Sequence, residues 1–250
     1  MISVCMTSYN GEKYIKTQIL SILCQLSKTD ELIISDDQST DGTLDIIRSI
    51  HDPRIKLFHH IRSKELVKIK YSRNFYLVSA NFENALRQAR GDFIFLSDQD
   101  DIWKLNKVSI LTELLEKYNC VMCDNEPIDA EGNKITENIG RKSSVSKSLL
   151  VNMKNTPFLG CCMAFRKSVL SYVLPFPKKC IGHDLWIGLL CARFDSFFYT
   201  GKKLHQYRIH ENNVSPAVTK NSKNPLMIKI SYRIKLLFLI LLRAFKIRIV

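Results

Sequence analysis

No apolar run in this 250-residue chain reaches the roughly 18–20 residues that span a bilayer, so a membrane-crossing helix is not expected. The opening Met1-Ile2-Ser3-Val4-Cys5-Met6 has neither a basic region nor a small-residue cleavage site. It therefore reads as a first strand and not as a signal peptide. Cys120-x-x-Cys123 has no second pair downstream, and alternation along a strand turns its two thiols to opposite faces, which argues against zinc. The eight cysteines lie mostly in apolar segments, Cys161 and Cys162 adjacent; with no secretion signal they read as reduced core thiols. There is no internal repeat and no glycine-rich linker. Residues 220–250 contain no acid at all.

That last absence decides how the charge is read. The net charge is +13, and eight cations (Lys220, Lys223, Lys229, Arg233, Lys235, Arg243, Lys246 and Arg248) fall within residues 220–250. Residues 1–219 keep only +5. The excess belongs to the tail and does not mark a nucleic-acid-binding face.

A chain of this length can bury one sizeable core with a small appendage. Along it, strands and helices alternate. Ile2–Met6, Glu31–Ser35, Ile55–Phe58 and a run from Phe93 are strand-like. Between them lie helical stripes: Ile15, Ile19, Ile22, Leu23 and Leu26; Leu44, Ile47 and Ile50; Phe82, Ala85, Leu86 and Ala89. This rhythm predicts an α/β fold with a mostly parallel sheet flanked by helices. The second half is less regular. It offers a helix on Leu105, Val108, Leu111 and Leu115, a strand at Cys120–Cys123 and a polar loop over 126–148. Phe158–Phe165 is strand-like, Val169–Val173 a short helix, and Pro175 and Pro177 break the chain. A helix opens at Gly182-His183-Asp184-Leu185-Trp186, and short strands follow at Phe197–Tyr199 and Leu204–Arg208.

The chemistry gathers where strands end. Asp92–Leu96 runs into Ser97-Asp98-Gln99-Asp100-Asp101, three carboxylates within four residues. Acids this close stay ionised only beside a cation. Asp98 and Asp100 are expected to hold Mg²⁺ or Mn²⁺, hard ions that take oxygen ligands and keep sites for phosphate. The plainer alternative is a polar turn capping a helix that starts near Trp103. Asp36-Asp37 follows the second strand and Thr7 the first, so all three groups share the carboxyl edge, where open α/β sheets bind ligands. Asp37 there can accept from the N3–H of uracil or thymine. An EF-hand beginning at Asp37 fails, because its twelfth position is Arg48 and not a bidentate Glu. Ser39 to Gly42 fits an Asx/Ser turn and helix cap equally well.

Four stretches together resemble the bacterial family 2 glycosyltransferases of the GT-A fold, and within them the rhamnosyltransferase-like branch. They are Thr7-Ser8-Tyr9-Asn10-Gly11-Glu12-Lys13-Tyr14, Ser35-Asp36-Asp37-Gln38-Ser39-Thr40-Asp41-Gly42-Thr43, Phe95–Trp103 and Gly182–Trp186. Gly160–Phe165 and Tyr207–Ser215 are similar to further segments of that branch, so the likeness covers roughly residues 2–215. The resemblance implies a Rossmann-like GT-A domain over 1–215, with a nucleotide-sugar half (1–103) and an acceptor half (104–215). It implies inverting transfer from a UDP- or dTDP-sugar. Thr7, Tyr9, Asn10, Glu12, Asp36, Asp37, Asp98 and Gln99 would surround the donor nucleotide. Asp98 and Asp100, with His210 as a further ligand, would hold Mn²⁺ or Mg²⁺. Asp184 would be the general base; inversion needs a carboxylate opposite the leaving diphosphate, and a helix start keeps Asp184 ionised. An N-cap role is the alternative for Asp184, and ordinary solvent exposure for His210. His183 and Trp186 would lie on the acceptor side, His183 for positioning, Trp186 as a sugar platform or as core. One departure stands out. Many relatives carry a basic residue just before the equivalent of Asn81; here Ser79-Ala80 precede it, and Arg73 is the nearest substitute.

The tail, 216–250, has an apolar centre, Leu236–Leu242, flanked by cations. Seven apolar residues cannot span. They can enter an interface, with residues 223–250 against anionic headgroups, or dock as a helix on the body or on a partner. The expectation is a cytoplasmic enzyme, peripheral on the inner face of the plasma membrane, that extends a surface glycan on a lipid-linked acceptor. The alternative, a nucleotidyltransferase forming a nucleotide-sugar, would need a glycine-rich basic loop where Tyr9-Asn10-Gly11-Glu12 stands. A nucleic-acid binder would leave the acid cluster without a purpose.

Overall fold

The computed structural model describes residues 1–135, 145–180, 182–211, 213 and 225–247. One eight-stranded sheet organises them, its strands in order from edge to edge being Ile55–His59, Glu31–Asp36, Ile2–Ser8, Phe93–Ser97, Met163–Arg166, Cys120–Ile128, Phe197–Arg208 and Ile102–Trp103. Strands β1 (Ile2–Ser8), β2 (Glu31–Asp36), β3 (Ile55–His59) and β4 (Phe93–Ser97) are mutually parallel. Every residue of β2 is buried, as expected for a parallel strand covered on both faces. Helices α1 (Ile15–Leu23), α2 (Thr43–Ser49), the short α3 (Lys64–Val67) and α4 (Arg73–Gln88) make the crossovers. The expected stripes face inward: Ile15, Ile19, Ile22, Phe82 and Ala85 are fully buried.

In β4 the parallel pattern ends. β7 (Met163–Arg166) lies antiparallel between β4 and β6 (Cys120–Ile128). β8 (Phe197–Arg208) runs parallel to β6 and antiparallel to the two-residue β5 (Ile102–Trp103). Trp103 thus belongs to a strand, not to the start of a helix. The helix comes later, as α5 (Lys107–Leu115), because Asn106 takes a left-handed conformation immediately before it. Leu105 lies outside its stripe and is exposed. The two short strands read at 197–199 and 204–208 are one strand, which turns at Gly201 (φ +68). The loop read over 126–148 begins later than expected, since β6 runs to Ile128; residues 136–144 lie outside the described residues. Phe158–Phe165 divides into a 3-10 turn at Gly160–Cys162 and β7.

The remaining helices are α6 (Leu149–Asn155), α7 (Leu170–Val173), α8 (His183–Phe194) and α9 (Leu226–Ile247). α9 packs on α7 and α8, with Leu236 and Ile240 joining the main core. All eight cysteines are free thiols. Cys120 meets Cys191 and Cys123 meets Cys162, so the C-x-x-C pair does face opposite ways. Among the described residues no helix is long and apolar enough to cross a membrane.

Candidate active site

The register places the site. Ser8 pairs with Asp36 and Met6 with Ser97, so the turns after β1, β2 and β4 meet at one carboxyl edge. The first two turns are laced together. The Asn10 side chain accepts from Thr40 N–H (2.8 Å), Glu12 accepts from Gly42 N–H (2.7 Å), and Ser39 Oγ accepts from Asn10 N–H (3.0 Å). Gln99 closes the third side. Its amide accepts from Tyr9 N–H (2.8 Å) and donates to the Tyr9 carbonyl (3.0 Å). A side chain at Gly11 would collide with Gln99. Asn10 and Glu12 are therefore tied to the 39–42 turn and Gln99 to the Tyr9 backbone, while Tyr9 keeps an exposed ring. Thr7 is buried at the end of β1.

The two adjacent aspartates part company. Asp36 is fully buried, and its oxygens accept from Ser8 Oγ (2.9 Å), Ser39 N–H (2.9 Å) and Ser39 Oγ. It anchors the turn from inside, which corrects the expected nucleotide contact. Asp37 is also buried, at 4% exposure, but has other partners. Arg62 Nε donates to its Oδ2 (2.9 Å), His60 Nδ1 lies 2.8 Å from its Oδ1, and the Arg62 guanidinium stacks 3.9 Å from the Tyr9 ring centre. Arg73, considered as the missing basic residue, is exposed at the start of α4, while Arg62 is a cation that pairs with Asp37 at this edge.

The acidic turn follows. His210 Nε2 lies 2.8 Å from Asp100 Oδ2. The β5–β8 pairing explains the meeting: Ile102 opposes Gln206, and the antiparallel continuation carries His210 alongside the acids. Asp98, Asp101 and Cys161 offer ligand atoms within 4.8 Å of one another. Withdrawal from water, then Asp101, Asp100 and Asp184 in that order, hold the Asp98 carboxyl far above the usual carboxylate range. Burial first and Asp100 second push Asp101 the same way. Crowded acids with an imidazole beside them fit a divalent cation, which would reverse both shifts.

A buried relay backs this turn. Lys107 is completely buried, and its Nζ donates to the Cys161 carbonyl (2.7 Å), lies 3.1 Å from His205 Nδ1 and sits 4.1 Å over the Trp103 ring. An ammonium only donates, so Nδ1 accepts, and Nε2–H donates to Asp101 Oδ2 (2.8 Å). Asp101 also accepts from Arg208 N–H (2.8 Å). Sequence reasoning missed Lys107 and His205, which stand far apart until β8 brings them together. Lys107→Met is expected to cost about 3–5 kcal/mol by leaving buried partners unmatched, a Tm loss of about 10 °C. Calorimetry checks this; a Tm within about 2 °C of wild type would show that the relay holds nothing.

Asp184 comes from the opposite side, in the first turn of α8. Gly182 sits at φ +84, and any side chain there would strike the Asp184 carboxylate, so this turn needs glycine. Asp184 Oδ1 accepts from Leu185 N–H (2.7 Å). Its charge reaches Asp98. The two neighbours assigned to the acceptor side do not face it. Trp186 is 1% exposed, donates to the Val173 carbonyl (2.9 Å) and is core. His183 is buried against Phe82, ring centres 3.8 Å apart.

Burial pushes His183 down from 6.5 to about 4, with the Asp184 charge opposing. A depressed pKa means the unfolded chain takes up a proton that the folded chain refuses. Stability from this group is full above pH 6.5 and drains away as pH falls towards about 4. The expected loss over that window is about 3 kcal/mol. Urea unfolding at stepped pH measures it; His183→Asn should flatten the slope, and an unchanged slope would remove His183 as its source.

The model of the Glycosyl transferase family 2 family matches residues 3–174. The chain belongs to glycosyl transferase family 2. Its curated relatives include the Escherichia coli UDP-Glc:alpha-D-GlcNAc-diphosphoundecaprenol beta-1,3-glucosyltransferase WfgD, 28% identical over 89% of this chain and 83% of that protein. They also include the Shigella flexneri dTDP-rhamnosyl transferase RfbG, 28% identical over 83% of this chain and 72% of that protein. Among solved structures, S. aureus TarS in complex with UDP-GlcNAc superposes with a TM-score of 0.62 at 18% identity, over 98% of this chain and 72% of that one. The Pyrobaculum calidifontis mannosyltransferase PcManGT, in complex with GDP-Man and Mn²⁺, gives 0.61 at 18% identity, over 85% of this chain and 58% of that one. These likenesses establish the GT-A fold. This family 2 member has the mixed α/β sheet and flanking helices expected of it, and nothing supports the nucleotidyltransferase alternative.

Proposed function

We propose that this chain is an inverting, metal-dependent glycosyltransferase. It moves a sugar from a UDP- or dTDP-sugar to a hydroxyl of a lipid-linked or glycan acceptor in cell-surface polysaccharide synthesis. The observation that supports the reading is the crowded acidic turn after β4, where His210 meets Asp100 and the Asp184 charge reaches Asp98, beside the turn that carries Asp37. The names of WfgD and RfbG support the donor and acceptor classes. Rhamnose is one candidate sugar, suggested by RfbG; glucose, suggested by WfgD, is another.

Asp37, held by Arg62 and His60, presents an oxygen edge to the N3–H of the base, with Thr7 and the Tyr9 ring beside it. Asn10, Glu12 and Gln99 keep that wall in place. Asp98, Asp100 and His210 would hold Mn²⁺ or Mg²⁺, which supplies positive charge to the leaving diphosphate. Asp184 takes the proton from the acceptor hydroxyl as that oxygen attacks the anomeric carbon. The bond to the diphosphate breaks on the opposite face, so configuration inverts. The 1–215 domain does this chemistry in a cytoplasmic enzyme peripheral to the inner face of the plasma membrane, with residues 223–250 towards anionic lipid.

A thermal-shift screen of UDP- and dTDP-sugars with Mn²⁺, and again with EDTA, tests this. A saturating cognate donor at about 100 Kd should add about 2.7 kcal/mol of stability, and EDTA should remove it. No stabilisation by any UDP or dTDP compound would overturn the reading.

A further inference from the structure

α9 carries two apolar faces, and among the described residues only one is packed. The inner face holds Leu236, Ile240 and Ala244 against α7 and α8. Arg243 fastens it, donating to the carbonyls of Tyr172 (3.0 Å), Leu174 (2.8 Å) and Pro175 (2.7 Å) with its guanidinium over the Trp186 ring. On the outer face Met227, Ile230, Ile234, Phe238 and Leu241 recur at helical spacing, and all five are exposed, Ile234 at 65% and Phe238 at 60%. Among the described residues, α9 packs on α7 and α8 through its other face. Large apolar residues standing together in water mark an interaction face.

We infer that this outer stripe of α9 lies in an anionic lipid surface and fixes that surface beside the cleft. This rests on the glycosyltransferase reading only in giving the acceptor its lipid anchor. Charge selects the occupant. Arg233 and Lys235 are exposed on the same helix, and residues 220–250 hold eight cations and no acid. Two copies meeting through this stripe would bring like charges together, whereas anionic headgroups neutralise them. An amphipathic helix with a cationic border and an apolar face lies in the plane of an interface. The inner face makes the placement consequential. α9 rests on α8, the helix that opens with His183-Asp184, and Tyr232 on α9 packs against the core. Burial, then Cys180 and Asp184, raise the Tyr232 hydroxyl, in keeping with a position at the Asp184 side of the cleft. The lipid-facing helix thus packs directly on the helix whose first turn carries Asp184.

The sequence alone could not divide the apolar centre in this way. Leu236 and Ile240 are spent on docking, and the lipid-facing work falls to Ile234, Phe238 and Leu241, with Ile230 and Met227 one and two turns upstream.

The test uses the full chain and sedimentation with vesicles of equimolar phosphatidylglycerol and phosphatidylcholine. Wild type should bind these, bind pure phosphatidylcholine more weakly, and release as salt rises. Ile234→Glu/Phe238→Glu should lower the partition coefficient by about tenfold or more, with Tm and donor hydrolysis near wild type. Arg233→Gln/Lys235→Gln, which leaves the apolar stripe alone, should lose binding to the anionic vesicles only. Equal vesicle binding by both double variants would overturn the inference. So would light scattering that shows a wild-type dimer turned monomer by Ile234→Glu/Phe238→Glu with vesicle binding intact, since the stripe would then be a contact between copies. Failure of the glycosyltransferase reading looks different: vesicle binding would persist while no UDP- or dTDP-sugar was hydrolysed.

Discussion

Asp184→Asn is expected to lower transfer by about 10²–10⁴-fold while donor affinity stays near wild type. The amide keeps the shape of the carboxylate and its bond from Leu185 N–H, but cannot accept a proton from the acceptor hydroxyl. The loss should fall on kcat and not on KM. The neighbouring His183 serves as the internal control. It is buried against Phe82, so His183→Asn should lower stability yet change transfer per folded molecule far less. If Asp184→Asn lost thermal stability or donor binding with transfer per folded molecule unchanged, Asp184 would be a helix cap, and the base would have to lie elsewhere in the cleft.

The second large effect is expected at the acidic turn. Asp98→Asn and Asp100→Asn should each weaken Mn²⁺-dependent donor binding by more than about 100-fold, since residues that merely support metal ligands already cost 10–100-fold. His210→Gln should cost about 10–100-fold, less than either Asp variant, because the neutral imidazole that meets Asp100 from just beyond β8 adds a ligand but no negative charge. The fold should survive, since Asp98 and Asp100 are only half-buried. Calorimetric titration of UDP with Mn²⁺ and with EDTA reads all three. Donor binding by the Asp variants equal to wild type, with or without EDTA, would overturn the metal assignment.

Much of this was legible because apolar runs ended in acids. The strands before Thr7, Asp36 and Asp98 declared themselves by composition, and parallel pairing then put their ends on one edge. The roles within that edge were less legible. Asp36 and Asp37 are the same residue type side by side, yet one turns in to Ser8 and Ser39 and the other meets Arg62. Adjacent residues on extended chain point opposite ways, but sequence does not say which way is in. Arg62 and His60 arrive from beyond β3 with no local signal. Lys107 and His205 meet only because β8 pairs with the two-residue β5, a strand too short to show any period. Trp103 was misplaced for the same reason. In the tail, apolar residues surround the helix, so periodicity could not choose the docked face; Leu236 and Ile240 are distinguished from Ile234 and Phe238 only by what α7 and α8 cover.

The central claim is inverting transfer with a divalent cation, and the anomeric configuration of the product tests it most directly. With whichever UDP- or dTDP-sugar stabilises the protein, the product formed on a lipid-linked acceptor is examined by proton NMR, with Mn²⁺ and with EDTA. The account predicts a glycosidic bond of the opposite anomeric configuration to the donor, formed with Mn²⁺ and lost in EDTA. A product that keeps the donor configuration, or undiminished transfer in EDTA, would contradict it.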